Sequence, residues 1–393
     1  MEKFTYVLPT EMVFGRGSEK QTAELVKKYG GSNVLVVYGG GSVKRTGLLG
    51  TICDELKAAG LRYTTLGGVQ PNPLVSFVND AVKSAVADGI DFVLAVGGGS
   101  VIDTTKAIAH GIQYPDCDIW DIWSKKVKLE KTTPFGSVLT LAAAGSETSD
   151  SAVLTKDDTH QKRGFSTVLN MAKFAVMNPE LTYSAPTYQK ACGCADIFMH
   201  TLERYFAKEK PNYLTDFIAE GVLKTVMMQA PVMLNNPADY VSHSEIMYAG
   251  SVSHNGITGL GRGRDFTVHK FGHELSGKFD VTHGASLTAM WGSWARYVYK
   301  EDVERFVHLG KALFGSEEKG EAGAIAAIEK VEEFFRSGLG LPISLSGLME
   351  RKLTDAEIDE LTDNCASNNA LPIGCFHPIG KEDIRAIYKM ANK

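Results

Sequence analysis

Two segments of the chain end in the same way. Asn33-Val-Leu-Val-Val-Tyr38 runs directly into Gly39-Gly40-Gly41, and Asp91-Phe-Val-Leu-Ala-Val96 runs directly into Gly97-Gly98-Gly99. Unbroken apolar runs of this length, rich in β-branched residues, predict strands buried on both faces, which a parallel sheet covered by helices provides. Helical patterns separate the runs. One spans roughly Val43 to Ala59 and is closed by Gly60, and a second spans Leu74 to Asp88 with Gly89 behind it. Pro71-Asn72-Pro73 marks a turn, and a third helix is expected to start at the second glycine run. This β-α-β-α alternation predicts an α/β domain built on a parallel sheet.

The alternation stops part-way. Two strand-like pieces within Ser151 to Thr167 flank the polar Lys156-Asp-Asp-Thr-His-Gln161, which predicts a hairpin inserted in the α/β domain. Lys173-Phe-Ala-Val-Met177 reads as a last strand, stopped by Asn178-Pro179. Beyond it, 3.6-residue periodicity dominates, as in Tyr188–Phe206, Leu214–Met233 and Arg351–Asn364, and Thr354-Asp-Ala-Glu357 has the form of a capping box. A chain of 393 residues exceeds what one hydrophobic core accommodates. The expected organisation is therefore an α/β domain over residues 1–184 and an all-helical domain over 185–393.

Composition narrows the functional classes. The charged fraction is 22% and the formal net charge is -5, so nothing favours nucleic acid or an anionic membrane as partner. Met1 to Phe14 carries Glu2, Lys3, Pro9 and Glu11 and does not read as a secretory signal. No window is expected to approach the roughly 18 apolar residues that a membrane helix needs. Six cysteines, with only Cys192 and Cys194 closely paired, do not make a disulfide scaffold or a four-sulfur zinc site, and a reducing cytoplasm is the expected compartment.

The glycine runs sit where chemistry is expected. Gly97-Gly98-Gly99-Ser100, with Asp103 one turn further on, lets backbone approach a pyrophosphate closely at a helix N-terminus. It is not the G-x-G-x-x-G pattern, and a tight strand–helix turn that binds nothing is equally compatible with it. Gly39-Gly40-Gly41-Ser42 lacks the acidic residue that would hold a ribose 2′-hydroxyl, and Lys44 and Arg45 follow. Room and positive charge suit a 2′-phosphate, so NADP(H) is preferred over NAD(H), although such a pair can also be solvated helix residues. In the second half Asp196 and His200 are spaced i, i+4, His269 and His273 repeat the spacing, and His283 follows. Imidazoles with one carboxylate suit Fe²⁺ or Zn²⁺. A single histidine pair is more often structural. Three histidines within fifteen residues, in a chain with only 10, weigh against that. No H-E-x-x-H is present, which removes a zinc-protease reading.

Taken in order, Tyr38-Gly-Gly-Gly-Ser-Val-Lys-Arg-Thr-Gly47, Pro71-Asn-Pro73, Gly97-Gly-Gly-Ser-Val-Ile-Asp103, Ala144-Gly-Ser-Glu147, Asp196-x3-His200 and His269-x3-His-Glu-Leu-x7-His283 resemble the iron-containing (group III) alcohol dehydrogenase family, nearest its butanol dehydrogenase and aldehyde reductase branch. The resemblance covers nearly the whole chain. It implies a Rossmann-like N-terminal domain and an all-α C-terminal domain (a dehydroquinate synthase-like architecture), an active site in the cleft between them, and a homodimer. It implies one divalent metal, Fe²⁺ or Zn²⁺, held by Asp196, His200, His269 and His283, with His273 orienting substrate or relaying a proton. Gly39, Gly40, Ser42 and Gly97 to Ser100 match cofactor loops. Asp103 matches a residue near the nicotinamide half, with a catalytic role, Thr140 and Ser146 match cofactor contacts, and Lys162 matches a lysine near the 2′-phosphate of NADP. Three positions depart from the family pattern: Ala144 replaces a common Thr, Ser149 a common Asn, and Phe266 a frequent Trp.

The implied reaction interconverts a primary alcohol such as butanol and its aldehyde, the metal acting as a Lewis acid while hydride passes to or from the nicotinamide. Two rivals share the architecture. A glycerol dehydrogenase-like polyol oxidoreductase would be expected to use one Asp and two His ligands. A dehydroquinate synthase-like lyase would want a Glu ligand and a basic cluster for substrate phosphate, which Asp196 and the neutral stretch around Phe266 do not match. A non-catalytic binding protein would have lost part of the ligand set, and none of its main parts is missing.

Overall fold

The computed structural model describes residues 1–208 and 212–393. Two compact units emerge, and neither is continuous in sequence: Val7–Pro186 with Pro237–Ser251, and Met1–Tyr6 with Thr187–Asn236 and Val252–Lys393. The main crossing falls between 186 and 187, two residues beyond the expected boundary. The expectation of one cut at 184/185 leaves out the two exchanged segments. Polar contacts explain one exchange: Ser251 Oγ donates to Glu147 Oε1 (2.5 Å), and Thr182 Oγ1 lies 2.5 Å from His243 Nδ1.

The α/β unit contains, in chain order, strands β1 (Glu11–Phe14), β2 (Asn33–Tyr38), β3 (Arg62–Leu66), β4 (Phe92–Gly97), β5 (Phe135–Leu139), β6 (Ser151–Thr155), β7 (Lys162–Ser166) and β8 (Phe174–Met177). Its helices are α1 (Thr22–Lys28), α2 (Ser42–Arg45), α3 (Leu48–Ala58), α4 (Val75–Ala87), α5 (Gly99–Ile112) and α6 (Ile119–Trp123). Six strands form one parallel sheet in the order β1-β8-β5-β4-β2-β3. Strands β2, β4, β5 and β8 are buried throughout, and residues such as Val36, Leu94, Val138 and Val176 form its core. From β2 the chain moves outward to β3, and from β4 it moves the other way to β5. The switch in winding therefore lies between β2 and β4, and the two glycine runs sit at their carboxyl ends, where α/β sheets bind ligands. The antiparallel β6–β7 hairpin is present as expected.

One expected helix is divided. The helix expected over Val43–Ala59 is two helices, because Gly47 adopts a left-handed backbone with φ 78° between α2 and α3. Gly60, at φ 74°, closes α3 in the way its position implied.

The other unit is helical: α7 (Thr187–Tyr205), α8 (Tyr213–Asn235), the end of α9 (Tyr240–His254), α10 (Thr267–Phe279), α11 (His283–Val298), α12 (Val303–Phe314), α13 (Gly320–Glu333), α14 (Leu345–Met349), α15 (Asp355–Asn368) and α16 (Lys381–Ala391). Thr354 and Glu357 make the capping box that starts α15. Helix α8 corrects an expectation, since by length and composition it is apolar enough to cross a membrane, with a mean hydropathy of 1.3 over its best window. Few charges dilute its 23 residues, although polar residues interrupt its apolar run. Its inner face carries charged and polar anchors. Asp216 receives bonds from Arg262 and Arg305, and Glu220 Oε1 lies 2.9 Å from His308 Nε2. Such anchors mark a helix packed in a folded unit.

Candidate metal centre and dinucleotide loops

Helix α7 presents Asp196 and His200 one turn apart, α10 presents His269 near its start, and α11 begins at His283. Buried Asp196, His200 and His269 each place one ligand atom within 4.8 Å of the others. One carboxylate oxygen, Asp196 Oδ1, lies 3.5 Å from His200 Nδ1, 3.3 Å from His269 Nε2 and 3.9 Å from His283 Nε2. Tetrahedral ligands at ~2.1 Å from one ion are separated from each other by roughly 3.4 Å, so the spacing of Asp196, His200 and His269 fits a shared cation, with His283 standing just outside that close group.

Electrostatics supports the fit. Burial holds His200 well below the usual imidazole pKa, helped by the neighbouring histidines and Arg204, so the ring is neutral at physiological pH. Its Nδ1 is buried, makes no hydrogen bond and faces the Asp196 carboxylate. That approach is therefore not an ion pair. A cation between the two groups would satisfy both. Burial also disfavours charge on His269, but the Glu203 and Asp196 carboxylates outweigh it and raise its pKa to about 9.

Of the remaining expected site residues in this unit, His273 is half-buried, with its ring 5.4 Å from that of His283 and 6.4 Å from that of His269. Phe266 caps the start of α10 in a left-handed backbone at φ 54°. Its ring lies 5.2 Å from the His269 ring and 4.7 Å beneath the Arg204 guanidinium. Three partners of the centre escaped the sequence reading. Glu203 contacts His269, the His254 ring lies tilted against His200 with centroids 3.9 Å apart, and Arg204 donates both to His200 O (2.9 Å) and to His254 Nδ1 (3.0 Å). Glu203 alone left a signal: with Asp196 and His200 it completes an i, i+4, i+7 stripe on α7.

In the α/β unit Gly97 ends β4, Gly98 adopts an extended backbone and Gly99 opens α5. A Cβ at Gly97 would lie 2.5 Å from Val101 Cγ2, and one at Gly98 would lie 3.2 Å from Leu141 Cβ, so side chains have little room here. Ser100 Oγ donates to Pro71 O (2.5 Å), and Thr140 N donates to Gly97 O (3.0 Å). Asp103 accepts from Ser146 Oγ (2.6 Å) and Val153 N (2.9 Å), and burial pushes its pKa up. Beneath it Lys106, fully buried, donates to Ser146 O (2.7 Å), Ser146 Oγ (2.9 Å), Ser149 O (3.3 Å) and Ser151 O (2.7 Å). Burial draws the pKa of this ammonium down to about 8, against the pull of Asp103. No local sequence pattern marks Lys106. The substituted positions Ala144 and Ser149 are both built in: Ala144 Cβ would meet a Cβ on Gly99 at 3.4 Å, and Ser149 Oγ donates to Ser151 O (3.3 Å).

At the neighbouring loop, Ser42 opens α2 behind Gly39 and Gly40, and space above Gly40 is open. Arg45 folds back so that a Cβ on Gly41 would meet its Nη1 at 2.7 Å, and Lys44 Nζ lies 5.1 Å from the centre of the Tyr38 ring. Lys162, first in β7, donates to Asn72 Oδ1 (3.1 Å) in the Pro71–Pro73 turn.

Comparison with known proteins decides the family. Residues 9–179 match the family model described as iron-containing alcohol dehydrogenase, and residues 190–392 match that of the Fe-containing alcohol dehydrogenase family, C-terminal. The chain belongs to the iron-containing alcohol dehydrogenase family. It is accordingly an oxidoreductase acting on CH–OH donors. NADH-dependent butanol dehydrogenase A of Clostridium acetobutylicum is 36% identical over 99% of both chains. The NADPH-dependent aldehyde reductase YqhD of Escherichia coli is 34% identical over 100% of both. A solved NADH-dependent butanol dehydrogenase A from Thermotoga maritima superposes with a TM-score of 0.96 at 34% identity, covering 100% of this chain and 99% of that one. Both halves of the expected fold, the parallel-sheet α/β domain and the helical domain, are those of this iron-containing alcohol dehydrogenase family.

Proposed function

We propose that this iron-containing alcohol dehydrogenase reduces short-chain aldehydes such as butanal to primary alcohols with NADPH, and runs the reverse oxidation with NADP⁺. The observation that carries the reading is the ring of three imidazole nitrogens around Asp196 Oδ1, at 3.3 to 3.9 Å. A divalent cation held by Asp196, His200, His269 and His283 supplies Lewis acidity toward the alcohol or carbonyl oxygen. Neutral imidazoles and one carboxylate accept Fe²⁺ or Zn²⁺ alike.

The chain's own residues position and protect the reactants. Gly97 to Ser100 seat a pyrophosphate against the start of α5, where oriented N–H groups favour anions. Asp103, Thr140 and Ser146 border the nicotinamide half, and Lys106 fixes the Ser146–Ser151 backbone beneath them. His273, half-buried beside His283, orients substrate or passes a proton to its oxygen. The 2′-phosphate preference rests on Arg45 folded over Gly41, on Lys44 and Lys162, and on the lack of an acid at 39–42. Relatives named for NADH and for NADPH both exist at similar identity, so direct comparison is required. The compartment proposed is the cytoplasm, which suits six free thiols. The assembly proposed is a homodimer, supported by the exposed apolar stripe of Leu214, Phe217, Met228 and Val232 along α8.

The test is kcat/KM for NADPH and NADH across short aldehydes, in the wild type and in Arg45→Gln. NADPH is expected to be preferred, and the substitution is expected to erode that preference. Equal use of both cofactors by the two proteins would overturn the cofactor assignment, and inertness toward every aldehyde would overturn the substrate class.

A further inference from the structure

Seven residues along an α-helix turn by about two full revolutions, so i, i+4 and i+7 share one face. On α7 that face carries Asp196, His200 and Glu203. The first two point to the centre described above, whereas the third reaches α10. Glu203 is fully buried, so water cannot serve as its partner. One of its oxygens, Oε1, accepts the backbone N–H groups of Val268 (2.6 Å) and His269 (3.2 Å). The other, Oε2, pairs with His269 Nδ1.

Helix α10 needs this help. Its cap residue, Phe266, has a left-handed backbone and no side-chain oxygen, so the N–H groups of the first turn would be orphaned. Asp265 Oδ1 takes the N–H of Thr267 (3.1 Å), and Glu203 takes the next two from another helix. The same carboxylate also decides the chemistry of the ligand. An ionised carboxylate only accepts, so His269 Nδ1 must carry the hydrogen. In a neutral imidazole the lone pair then resides on Nε2, which lies 3.3 Å from Asp196 Oδ1.

We infer that Glu203 is the positioning residue of the metal centre: it caps α10 and, with the same carboxylate, fixes the His269 tautomer that turns Nε2 toward the cation. This rests on the reading that Asp196, His200, His269 and His283 hold a divalent metal. A carboxylate behind a ligating imidazole also makes the ligand more basic, and losing such a partner weakens metal affinity roughly 10- to 100-fold.

Glu203→Gln separates the two jobs. The amide oxygen can still accept from Val268 and His269 N–H, but the amide lacks the negative charge and the second acceptor that His269 Nδ1–H requires. The experiment measures Fe²⁺ and Zn²⁺ affinity of the full-length wild type and Glu203→Gln by competition with a chromophoric chelator, alongside the Tm of each metal-free protein. Expected is a roughly 10- to 100-fold weaker affinity for both ions in a variant whose metal-free form still unfolds in one cooperative transition, at a lower Tm than the wild type. A variant that binds both ions as tightly as the wild type reduces Glu203 to a helix cap and overturns the inference. Should the variant fail to fold, histidine NMR of the Zn²⁺-loaded wild type gives the answer. A proton on His269 Nδ1 sustains the inference, and metal on Nδ1 overturns it. A wild type that takes up neither ion defeats the metal-centre reading itself, an outcome distinct from either.

Discussion

Glu274 sits one residue beyond His273, yet its carboxylate turns away to accept from Asn368 Nδ2 at 3.0 and 3.2 Å. Burial pushes its pKa up to about 7, with the Asn368 bond opposing. The folded state therefore binds this proton more tightly than the unfolded chain, whose value is near 4.5. Stability from this group is fully present below about pH 4.5 and is lost as pH rises through about 7, a change of up to about 3 kcal/mol. Glu274→Gln keeps the acceptor to Asn368 and removes the charge. Denaturant unfolding at about pH 5 and about pH 8 should show the variant gaining roughly 1–3 kcal/mol on the wild type at the higher pH only. A gap equal at both values would contradict the assignment. At this scale the sequence exposed residues that announce themselves by type and spacing. Asp196 and His200, like His269 and His273, stand at i, i+4 spacing in helical segments, and His283 follows within fifteen residues of His269. Lys106 was hidden because its partner lies 40 residues away and no local pattern distinguishes a buried ammonium from a solvated one, whereas Glu203, whose partner lies 66 residues away, left only its helical spacing from Asp196 and His200.

Between elements, the close approach of α11 to α7 is what brings His283 to Asp196. Gly284 permits it, since a Cβ there would lie 2.1 Å from the Cys192 carbonyl oxygen, an atom of helix backbone that cannot step aside. Gly284→Ala should push the first turn of α11 off α7, costing roughly 1–3 kcal/mol of stability and weakening metal uptake together. Calorimetry and chelator competition on the same preparation check this, and wild-type metal affinity in a destabilised variant would contradict it. Element legibility followed the same physics. Strands β2 and β4 were plain because central parallel strands are apolar throughout. β5 was less so, because Gly136 and Ser137 interrupt it, and Gly136 is needed where the Phe174 ring would lie 2.4 Å from a Cβ. The break between α2 and α3 depended on the left-handed conformation of Gly47, which periodicity does not report.

For the molecule as a whole, the α/β and helical layout was readable from where strand signals fade, but the exchanged segments were not. That Pro237–Ser251 belongs with the sheet depends on buried pairings such as Ser251 with Glu147. The exposed stripe on α8 was also out of reach, because an apolar helix does not reveal from sequence which of its faces is covered. If that stripe joins two copies, Phe217→Glu with Met228→Glu should convert the dimer to a monomer in sedimentation or light scattering while leaving the fold intact. A wild type that is monomeric at micromolar concentration, or a variant that stays dimeric, would contradict the assembly. In the proposed reaction, turnover requires a cation on the carboxylate and three imidazoles. The most direct measurement of that requirement is aldehyde reduction by chelator-stripped wild type and His283→Ala, before and after Fe²⁺ or Zn²⁺ is returned. Stripping should abolish turnover, one of the ions should restore it in the wild type, and neither should restore it in the variant. Undiminished turnover by metal-free His283→Ala would contradict the requirement.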